Sequence, residues 1–312
     1  MLRKFTIKKL CLTLFCLITM LLLYLFPKAN KENLTINTKY EFKQTSDVIF
    51  LIDKNYYVSR VNINLEGKTI EEKIKSIIDN LTIKNKNDSY FKGTIPINTK
   101  LNSIKIDNKT LYIDFSKELL NINPSMGEKM IESIVFSLTS LKDINDLVIS
   151  INGQILNRIP GTNEPLDSKL NRSIGINKVY DITNLKGLSK ITFYYLSKND
   201  DDYYYVPITK ITNDTSEKIE IIIKELTTSS SYNTSLMSYL NSDTKLKSYD
   251  FSDNKLTLDF NDAILSNVLD NALEEQITYA INLSIKDNYD IDLVYYNVDN
   301  KKIATFNLKS LD

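Results

Sequence analysis

Histidine, tryptophan and, outside one short segment, cysteine are missing from this 312-residue chain. Without histidine the chain cannot build a Ser-His-Asp or Cys-His site, or a zinc site that uses imidazole. Its two cysteines, Cys11 and Cys16, lie within an N-terminal apolar run, which leaves the rest without disulfides or thiolate ligands. The 7 glycines provide little material for a phosphate-binding loop. We therefore expect no cofactor and no metal, and predict that the protein is not an enzyme.

Charge is balanced overall but unevenly distributed. Lys+Arg and Asp+Glu number 39 each, and the segment 1–27 contains four cations and no acid: Arg3, Lys4, Lys8 and Lys9. Residues 28–312 therefore hold 35 basic and 39 acidic groups, a net charge of −4. A mildly acidic body without a dense basic stretch argues against nucleic acid as a partner. The length and the 42% hydrophobic content allow about two domains with buried cores.

An N-terminal stretch, Leu10–Phe26, contains no charged residue and is followed by Pro27. As a helix it would be about 25 Å long, near the lower limit for crossing a bilayer. The cations precede it, which places the N-terminus in the cytoplasm and the body outside. The sequence thus predicts a single-pass protein of the cell membrane, with residues 1–27 as cytoplasmic tail and transmembrane helix and 28–46 as juxtamembrane tether.

Other interpretations of this segment are weaker. A cleavable signal peptide needs small residues before the cleavage site, and Pro27-Lys28-Ala29 matches poorly. A lipoprotein needs a small residue before the modified cysteine, whereas Phe15 precedes Cys16. A helix buried in a soluble domain does not need apolar residues on every face. An uncleaved anchor is favoured, and signal cleavage stays open as the alternative.

Beyond the tether, four blocks recur in the same order and at nearly constant spacing along the chain. The matched blocks are VIFLIDKN from Val48 and ITFYYLSKN from Ile191, IEEKIKSIIDNLT from Ile70 and SEKIEIIIKELT from Ser216, LYIDFS from Leu111 and LTLDFN from Leu256, and DLVISING from Asp146 and DLVYYNVDN from Asp292. Blocks that stay collinear indicate a duplication. We predict a first domain over 47–188, which includes a connection at 160–187, and a second domain over 189–312.

Each copy has the pattern of strand pairs and two helices. Thr69 and Glu72 form a capping-box pattern before a helix whose apolar face is Ile70, Ile74, Ile77, Ile78 and Leu81. A second helix is predicted over 127–141, and its inward residues are Met130, Ile131, Ile134, Val135, Leu138 and Leu141. Turn residues separate the strand pairs, for example Asn152-Gly153 and Asp299-Asn300. The predicted fold class is α+β, with a mostly antiparallel sheet and two helices in each of two tandem repeats.

Several of these blocks carry a resemblance. They are LYIDFS at 111–116, a helix that ends in Leu138–Leu141, a strand that ends on Asn152-Gly153, and the tail EPLDSKLNRSIGIN at 164–177. With them the chain resembles the GerMN-domain family of sporulation and spore germination proteins in Gram-positive bacteria. The resemblance implies a cell-envelope protein of spore formers whose partners are extracytoplasmic proteins of the sporulating cell. It supplies no catalytic residues.

Four residues stand at equivalent positions and mark the repeats: Asp114, Phe115, Asp259 and Phe260. The favoured interpretation is structural, with each phenylalanine in a core and each aspartate at the surface or on nearby backbone. A pair of carboxylates can also perform hydrolysis, so a carboxylate-dependent hydrolase is a third functional hypothesis.

Two further features allow alternatives. Asp200, Asp201 and Asp202 could gather Ca²⁺, but they lack the spacing and glycine of an EF-hand loop, which favours a hairpin turn. The 19 tyrosines could line a glycan-binding surface, although sheet packing explains most of them equally well. The predicted function is non-enzymatic protein–protein assembly in sporulation or germination, and the alternative is an envelope module that binds peptidoglycan or another glycan.

Overall fold

The computed structural model describes residues 47–84, 90–200, 202–228, 235–238, 240–265 and 271–311, together with Phe15 and Leu17. Residues 1–37 and residues 38–312 are two compact units. In the first unit, Phe15 and Leu17 are helical and exposed. Among the described residues, no helix has both the length and the apolar character that a membrane span requires. The rest of the predicted anchor and all of the tether lie outside the described residues.

The second unit contains both repeats, with strands and helices in the same order. The first repeat has β1 (Asp47–Ile52), β2 (Val58–Ile63), α1 (Ile70–Leu81), β3 (Leu101–Asp107), β4 (Thr110–Phe115), α2 (Gly127–Leu138), β5 (Asp146–Ile151) and β6 (Gln154–Ile155). The connection forms β7 (Val179–Asp181). The second repeat has β8 (Ser189–Asn199), β9 (Asp202–Thr212), α3 (Lys218–Thr227), β10 (Leu246–Ser252), β11 (Lys255–Phe260), α4 (Asn271–Asn288), β12 (Leu293–Val298) and β13 (Lys301–Asn307).

The helices follow the sequence pattern closely. Thr69 caps α1 through the backbone N–H of Glu72, and the Glu72 carboxylate accepts from the Thr69 N–H, so the predicted capping box is confirmed. Helix α2 ends at Leu138, three residues earlier than predicted, and the chain then turns through Thr139 to Leu141. All the residues predicted to face inward from α2 are buried.

Each repeat has a four-stranded sheet of its own, in the order β3-β4-β5-β6 or β10-β11-β12-β13. Two of its three pairings are antiparallel, as predicted, but β4 pairs with β5 and β11 with β12 in parallel. The parallel pairs follow from the connections, because α2 and α4 each carry the chain back across the sheet before the next strand begins. The sheets are therefore mixed rather than uniformly antiparallel.

The two hairpins do not belong to separate sheets. Strands β1 and β2 of the first repeat join β8 and β9 of the second in one five-stranded sheet. One edge of β9 pairs with β8, and the other edge meets β2 at Arg60 opposite Tyr205 and then pairs with β7. The prediction of one sheet per repeat is therefore incomplete, because the repeats share a sheet as well. The domain boundary near residue 188 stays a prediction.

Equivalent backbone bridges give the register between the hairpins. Ile52 exchanges two backbone hydrogen bonds with Lys92, and Leu196 exchanges two with Met237, so Ile52 and Leu196 hold equivalent places. The sequence alignment of these blocks, which matches Val48 with Ile191, places Ile52 with Tyr195 instead. That alignment is therefore wrong by one position, a shift that reverses which side chains face the core.

Two separate cores lie under these sheets. One joins buried apolar residues between Val48 and Ile176, and the other joins residues between Ile191 and Leu311. The second core also receives partly buried residues from the first half of the chain, including Tyr57, Tyr90 and Phe91. Each repeat thus has a core of its own, while the shared sheet and several aromatic side chains tie the two together.

Candidate functional site

The repeat-signature residues lie at equivalent places in the two four-stranded sheets. Phe115 and Phe260 are fully buried at the ends of β4 and β11. Asp114 accepts a hydrogen bond of 2.7 Å from Gly153 N–H, and Asp259 accepts one of 2.8 Å from Asn300 N–H. Each carboxylate binds the tight turn that follows the neighbouring strand of its own repeat, and the two lie in different sheets.

A cleft of about 440 Å³ opens where the two repeats meet. We call it the inter-repeat cleft. From the first repeat it is lined by parts of β1, β2, α1 and the turn after α2, and from the connection by Arg172. From the second repeat it is lined by Tyr194, the end of α4 and Leu311. Neither repeat alone supplies these walls.

Arg172 forms one wall of this cleft and binds both repeats. Its guanidinium donates to Thr139 Oγ1, Ser140 Oγ and the Phe136 carbonyl at the end of α2, at 2.9 to 3.3 Å. It also donates to Asp287 Oδ1 of α4 at 2.6 Å. The rings of Phe50 and Phe136 lie 5.6 Å and 5.1 Å from it, close enough for cation–π attraction.

Asp287 has a second partner in the second repeat. The hydroxyl of Tyr194 donates to Asp287 Oδ2 at 2.5 Å, and the Asp287 side chain is only 5% exposed. Burial raises the pKa of Tyr194 well above its usual value, and the neighbouring Asp287 carboxylate raises it further. Tyr194 therefore stays protonated and remains a donor, so that both carboxylate oxygens of Asp287 have a partner.

The two helices that meet at Arg172 present equivalent positions to it. Ser137 Oγ accepts from the Phe50 N–H at 2.8 Å, and Ser284 Oγ accepts from the Tyr194 N–H at 3.0 Å. Ser140 and Asp287 each lie three residues further along. One arginine from the connection therefore bridges the matching ends of α2 and α4.

A second junction, which we call the seam, is formed by β2, β9 and the tail residues Gly175–Asn177. Asn177 accepts from the Val58 N–H at 2.9 Å and donates to the carbonyls of Val58 and Pro207, each at 2.8 Å. The Ile176 N–H donates to Thr209 Oγ1, and the Ile176 carbonyl accepts from the Thr209 N–H, both at 2.9 Å. Strands β2 and β9 pair with each other at Arg60 and Tyr205 alone. The hydrogen bonds of the tail residues therefore link the two strands beyond that pair.

Residues 40–157 and 192–304 match the family described as Germane, sporulation and spore germination. The chain belongs to this family. Its two matched regions are the two repeats, which makes the body a tandem of GerMN domains, as the sequence resemblance implies.

Two similar proteins cover both domains. The spore germination protein GerM of Bacillus subtilis is 29% identical over 261 residues, which are 81% of this chain and 71% of GerM. The solved structure of the tandem GerMN domains of the sporulation protein GerM from Bacillus subtilis superposes with a TM-score of 0.73 at 28% identity. That superposition covers 82% of this chain and 91% of the GerM structure, so the arrangement of both GerMN domains is matched.

The sequence carries the GerMN signature but no pattern that marks the cleft. Neither Arg172 nor Asn177 was predicted as a site residue, although both lie in the tail that resembles the family, which is the one signal that could have found them. Nothing in the pattern of α4 distinguished Asp287, because its role depends on an arginine 115 residues earlier in the chain.

The aspartate run at 200–202 and the tyrosines were the other candidate sites. Asn199 pairs with Asp202 across the β8–β9 hairpin, so the predicted turn is confirmed, while Asp201 lies outside the described residues. Within the described ranges, no three acidic side chains are grouped to hold a metal ion. Tyr194, Tyr195 and Tyr296 are buried in the second core. The glycan-binding alternative stays a prediction.

Proposed function

We propose that the chain is a single-pass membrane protein of the sporulating cell that acts by binding another extracytoplasmic protein through its two joined GerMN domains. The observation that supports this most is the match over both domains to a protein named for sporulation and germination. A relative that retains both repeats in the same arrangement favours a function that needs them together.

The membrane attachment rests on the sequence. Four cations and no acid precede the apolar segment Leu10–Phe26, which favours a cytoplasmic N-terminus and an extracytoplasmic body. The absence of histidine, and of cysteine beyond Cys16, supports a non-enzymatic function for that body. Two domains on one anchor also raise the effective concentration of binding sites for a multi-subunit partner.

The fused body favours assembly over two independent modules. The shared sheet, the seam and the Arg172–Asp287 pair oppose relative motion of the repeats, so a partner meets one preformed surface. A partner that spans both repeats would then bind without the cost of ordering them.

Deletion of the gene tests the proposal. We expect fewer heat-resistant spores or slower germination, with normal vegetative growth, because the family's description concerns those stages. Protease added to intact protoplasts should digest residues 28–312 and leave a membrane-bound N-terminal fragment. Normal spores would contradict the sporulation function, and a fully protected body would contradict the topology.

Retention of the body on purified cell wall, but not by sporulating-cell membrane extract, would instead favour the glycan-binding alternative.

A further inference from the structure

A group of exposed apolar side chains lies where the connection enters the second repeat. Leu185 is 82% exposed and Tyr180 is 65% exposed, and Ile182 and Leu188 are exposed as well. We call these four residues the apolar tip. Single exposed apolar side chains are ordinary on a protein surface, whereas several close together mark a contact with another apolar body.

The backbone of the apolar tip is held in place by one asparagine side chain from the end of β9. Asn213 Oδ1 accepts from the Thr183 N–H at 2.8 Å. Its amide group donates to the carbonyl of Asn184 at 3.1 Å and to that of Lys186 at 2.5 Å. These bonds lie on both sides of Leu185. The leucine is therefore presented outward by a preformed loop, which can bind without the cost of ordering its backbone.

Polar residues of the kind found at membrane interfaces accompany the apolar tip. Lys186 follows Leu185 directly and is exposed, and Tyr180 carries an aromatic ring with a polar hydroxyl. Asp181, the only acidic residue between 180 and 188, forms an ion pair of 2.7 Å with Lys210. Leucine with neighbouring tyrosine and lysine is typical of segments that lie in the boundary between headgroups and acyl chains.

The apolar tip is within reach of the membrane that the N-terminal segment is predicted to cross. Because β1 pairs with β2 and β2 meets β9 in antiparallel fashion, Asp47 lies level with the start of β9. The apolar tip follows Asp181, which pairs with Thr212 at the other end of β9, so about 30 Å separates the two along the strands. Residues 28–46 can extend up to about 60 Å, which is enough to let the tip touch the bilayer.

We propose that the apolar tip inserts into the outer surface of the membrane that anchors the chain, with Leu185 and Leu188 among the acyl chains and Tyr180 and Lys186 at the headgroups. The inference rests on the proposed function, because it takes the chain to be membrane-anchored. A lipid surface is favoured over a pocket on another protein, because it needs no complementary shape and the anchor keeps it at high local concentration. The body would then be held in one orientation for its protein partner.

The absence of tryptophan from the chain provides a clean reporter. Tyr180→Trp places a single tryptophan in the apolar tip. The full chain with this change is reconstituted into liposomes of equal amounts of phosphatidylcholine and phosphatidylglycerol, with either ordinary or brominated acyl chains. Bromine quenches tryptophan emission only at short range. We expect the brominated liposomes to remove about half or more of the emission, because the tip lies at the acyl chains.

A second change in the reporter chain tests the leucines. Leu185→Asp/Leu188→Asp should reduce the quenching by about half or more, because a carboxylate is costly to place in hydrocarbon. Leu120→Asp/Ile155→Asp is the matched control, since it makes the same change at two exposed apolar residues of the first repeat, and it should leave the quenching unchanged. Thermal melting of each chain shows that losses do not come from unfolding. Leu185→Ser/Leu188→Ser keeps the test valid if the aspartate variant unfolds.

Several results would overturn the proposal. An unquenched reporter in liposomes that carry the chain would do so, as would equal losses of quenching in the leucine variant and its matched control. Emission that shifts to the blue as the ratio of protein to lipid rises, without quenching by bromine, would identify a second copy of the chain as the contact instead.

Flotation of the same liposomes separates this inference from the proposed function. A chain that floats with an unquenched reporter would keep its anchor and lose the apolar tip as a lipid contact. A chain that does not float would contradict the anchored topology, and the inference would fall with it. A quenched reporter together with normal spores in the deletion strain would support the lipid contact and contradict the sporulation context.

Discussion

Arg172 lies where the two repeats meet, and its partners come from both. The Arg172 side chain is 27% exposed, whereas that of Asp287 is 5% exposed. An unpaired charge would therefore cost more free energy at the Asp287 carboxylate than at the Arg172 guanidinium. Two hydrogen-bond donors offset this cost for Asp287, namely the Arg172 guanidinium and the Tyr194 hydroxyl. This small network fixes the end of α4 against the end of α2.

Removing either side of the Arg172–Asp287 pair should destabilise the body more than removing both. We expect Asp287→Ala to lower the free energy of unfolding by about 2–4 kcal/mol, because it leaves a partly buried guanidinium without its anion. The double variant Arg172→Met/Asp287→Leu should cost less than the sum of the two single changes. Denaturant unfolding measures these differences.

The exposed pair Lys309–Asp292 is the control for that cycle, since its side chains are 66% and 37% exposed. Asp292→Ala should change stability by less than about 1 kcal/mol, as is usual for surface pairs. Equal losses for Asp287→Ala and Asp292→Ala would show that the buried network contributes little to joining the repeats.

The signature phenylalanines should be core anchors. We expect Phe115→Ala and Phe260→Ala each to lower the free energy of unfolding by about 3–5 kcal/mol, because each removes a fully buried ring. Phe251→Ala, at a ring that is 42% exposed, should cost under about 1 kcal/mol.

Function that survives in the folded variant Asp114→Asn/Asp259→Asn would agree with a structural role for those carboxylates, and its loss would revive the hydrolase hypothesis.

At the scale of elements, the seam depends on Asn177. Its side chain makes three short hydrogen bonds to the backbone of β2 and β9, and its φ of 46° is in the left-handed region that asparagine tolerates. Gly175, two residues earlier, has a φ of 82°, and a Cβ there would lie 3.0 Å from Thr209. Glycine at position 175 therefore lets the tail pass close to β9, and asparagine at 177 suits the left-handed backbone there.

Asn177→Ala should lower the free energy of unfolding by about 2–4 kcal/mol, because it leaves buried backbone groups without partners. Asn98→Ala is the matched control, since Asn98 is exposed and also has a positive φ of 72°. The control removes the conformational preference but not the seam. Similar losses in the two variants would show that backbone conformation, rather than the bonds at the seam, determines the effect.

How much of the fold the sequence predicts differs between elements. Helix α1 was predictable because its cap and its apolar face are local, and the β12–β13 hairpin because its turn residues are adjacent. The parallel pairing of β4 with β5 could also have been predicted, because a helix lies between the two strands in the sequence and such a crossover allows parallel pairing. The strand patterns by themselves suggested antiparallel pairs.

The joint between the repeats was harder to predict. Strand β2 meets β9 through one residue pair, Arg60 with Tyr205, and neither strand carries a pattern that selects the other. The inter-repeat cleft depends on that joint, so its residues could not be grouped from sequence. Arg172 could be noticed only through the family-like tail, and Asp287 could not be noticed at all.

At the scale of the whole molecule, each repeat has its own core but shares a sheet. We expect fragments 46–188 and 189–312 each to unfold cooperatively when heated, because each keeps a core. Each should unfold at a lower temperature than the joined body, since the seam and the Arg172–Asp287 pair are lost. Calorimetry of the two fragments and of 38–312 checks this, and failure of both fragments to fold would place the boundary elsewhere.

The proposal that both repeats act as one body is tested most directly by complementation of the deletion strain. Heat-resistant spores are counted after expression of the full chain and of a chain that ends at residue 188, with immunoblots to show equal amounts. We expect the full chain to restore the spore yield and the shortened chain to leave it at the level of the deletion strain. A full yield from the shortened chain would contradict the proposal, because one repeat would then suffice.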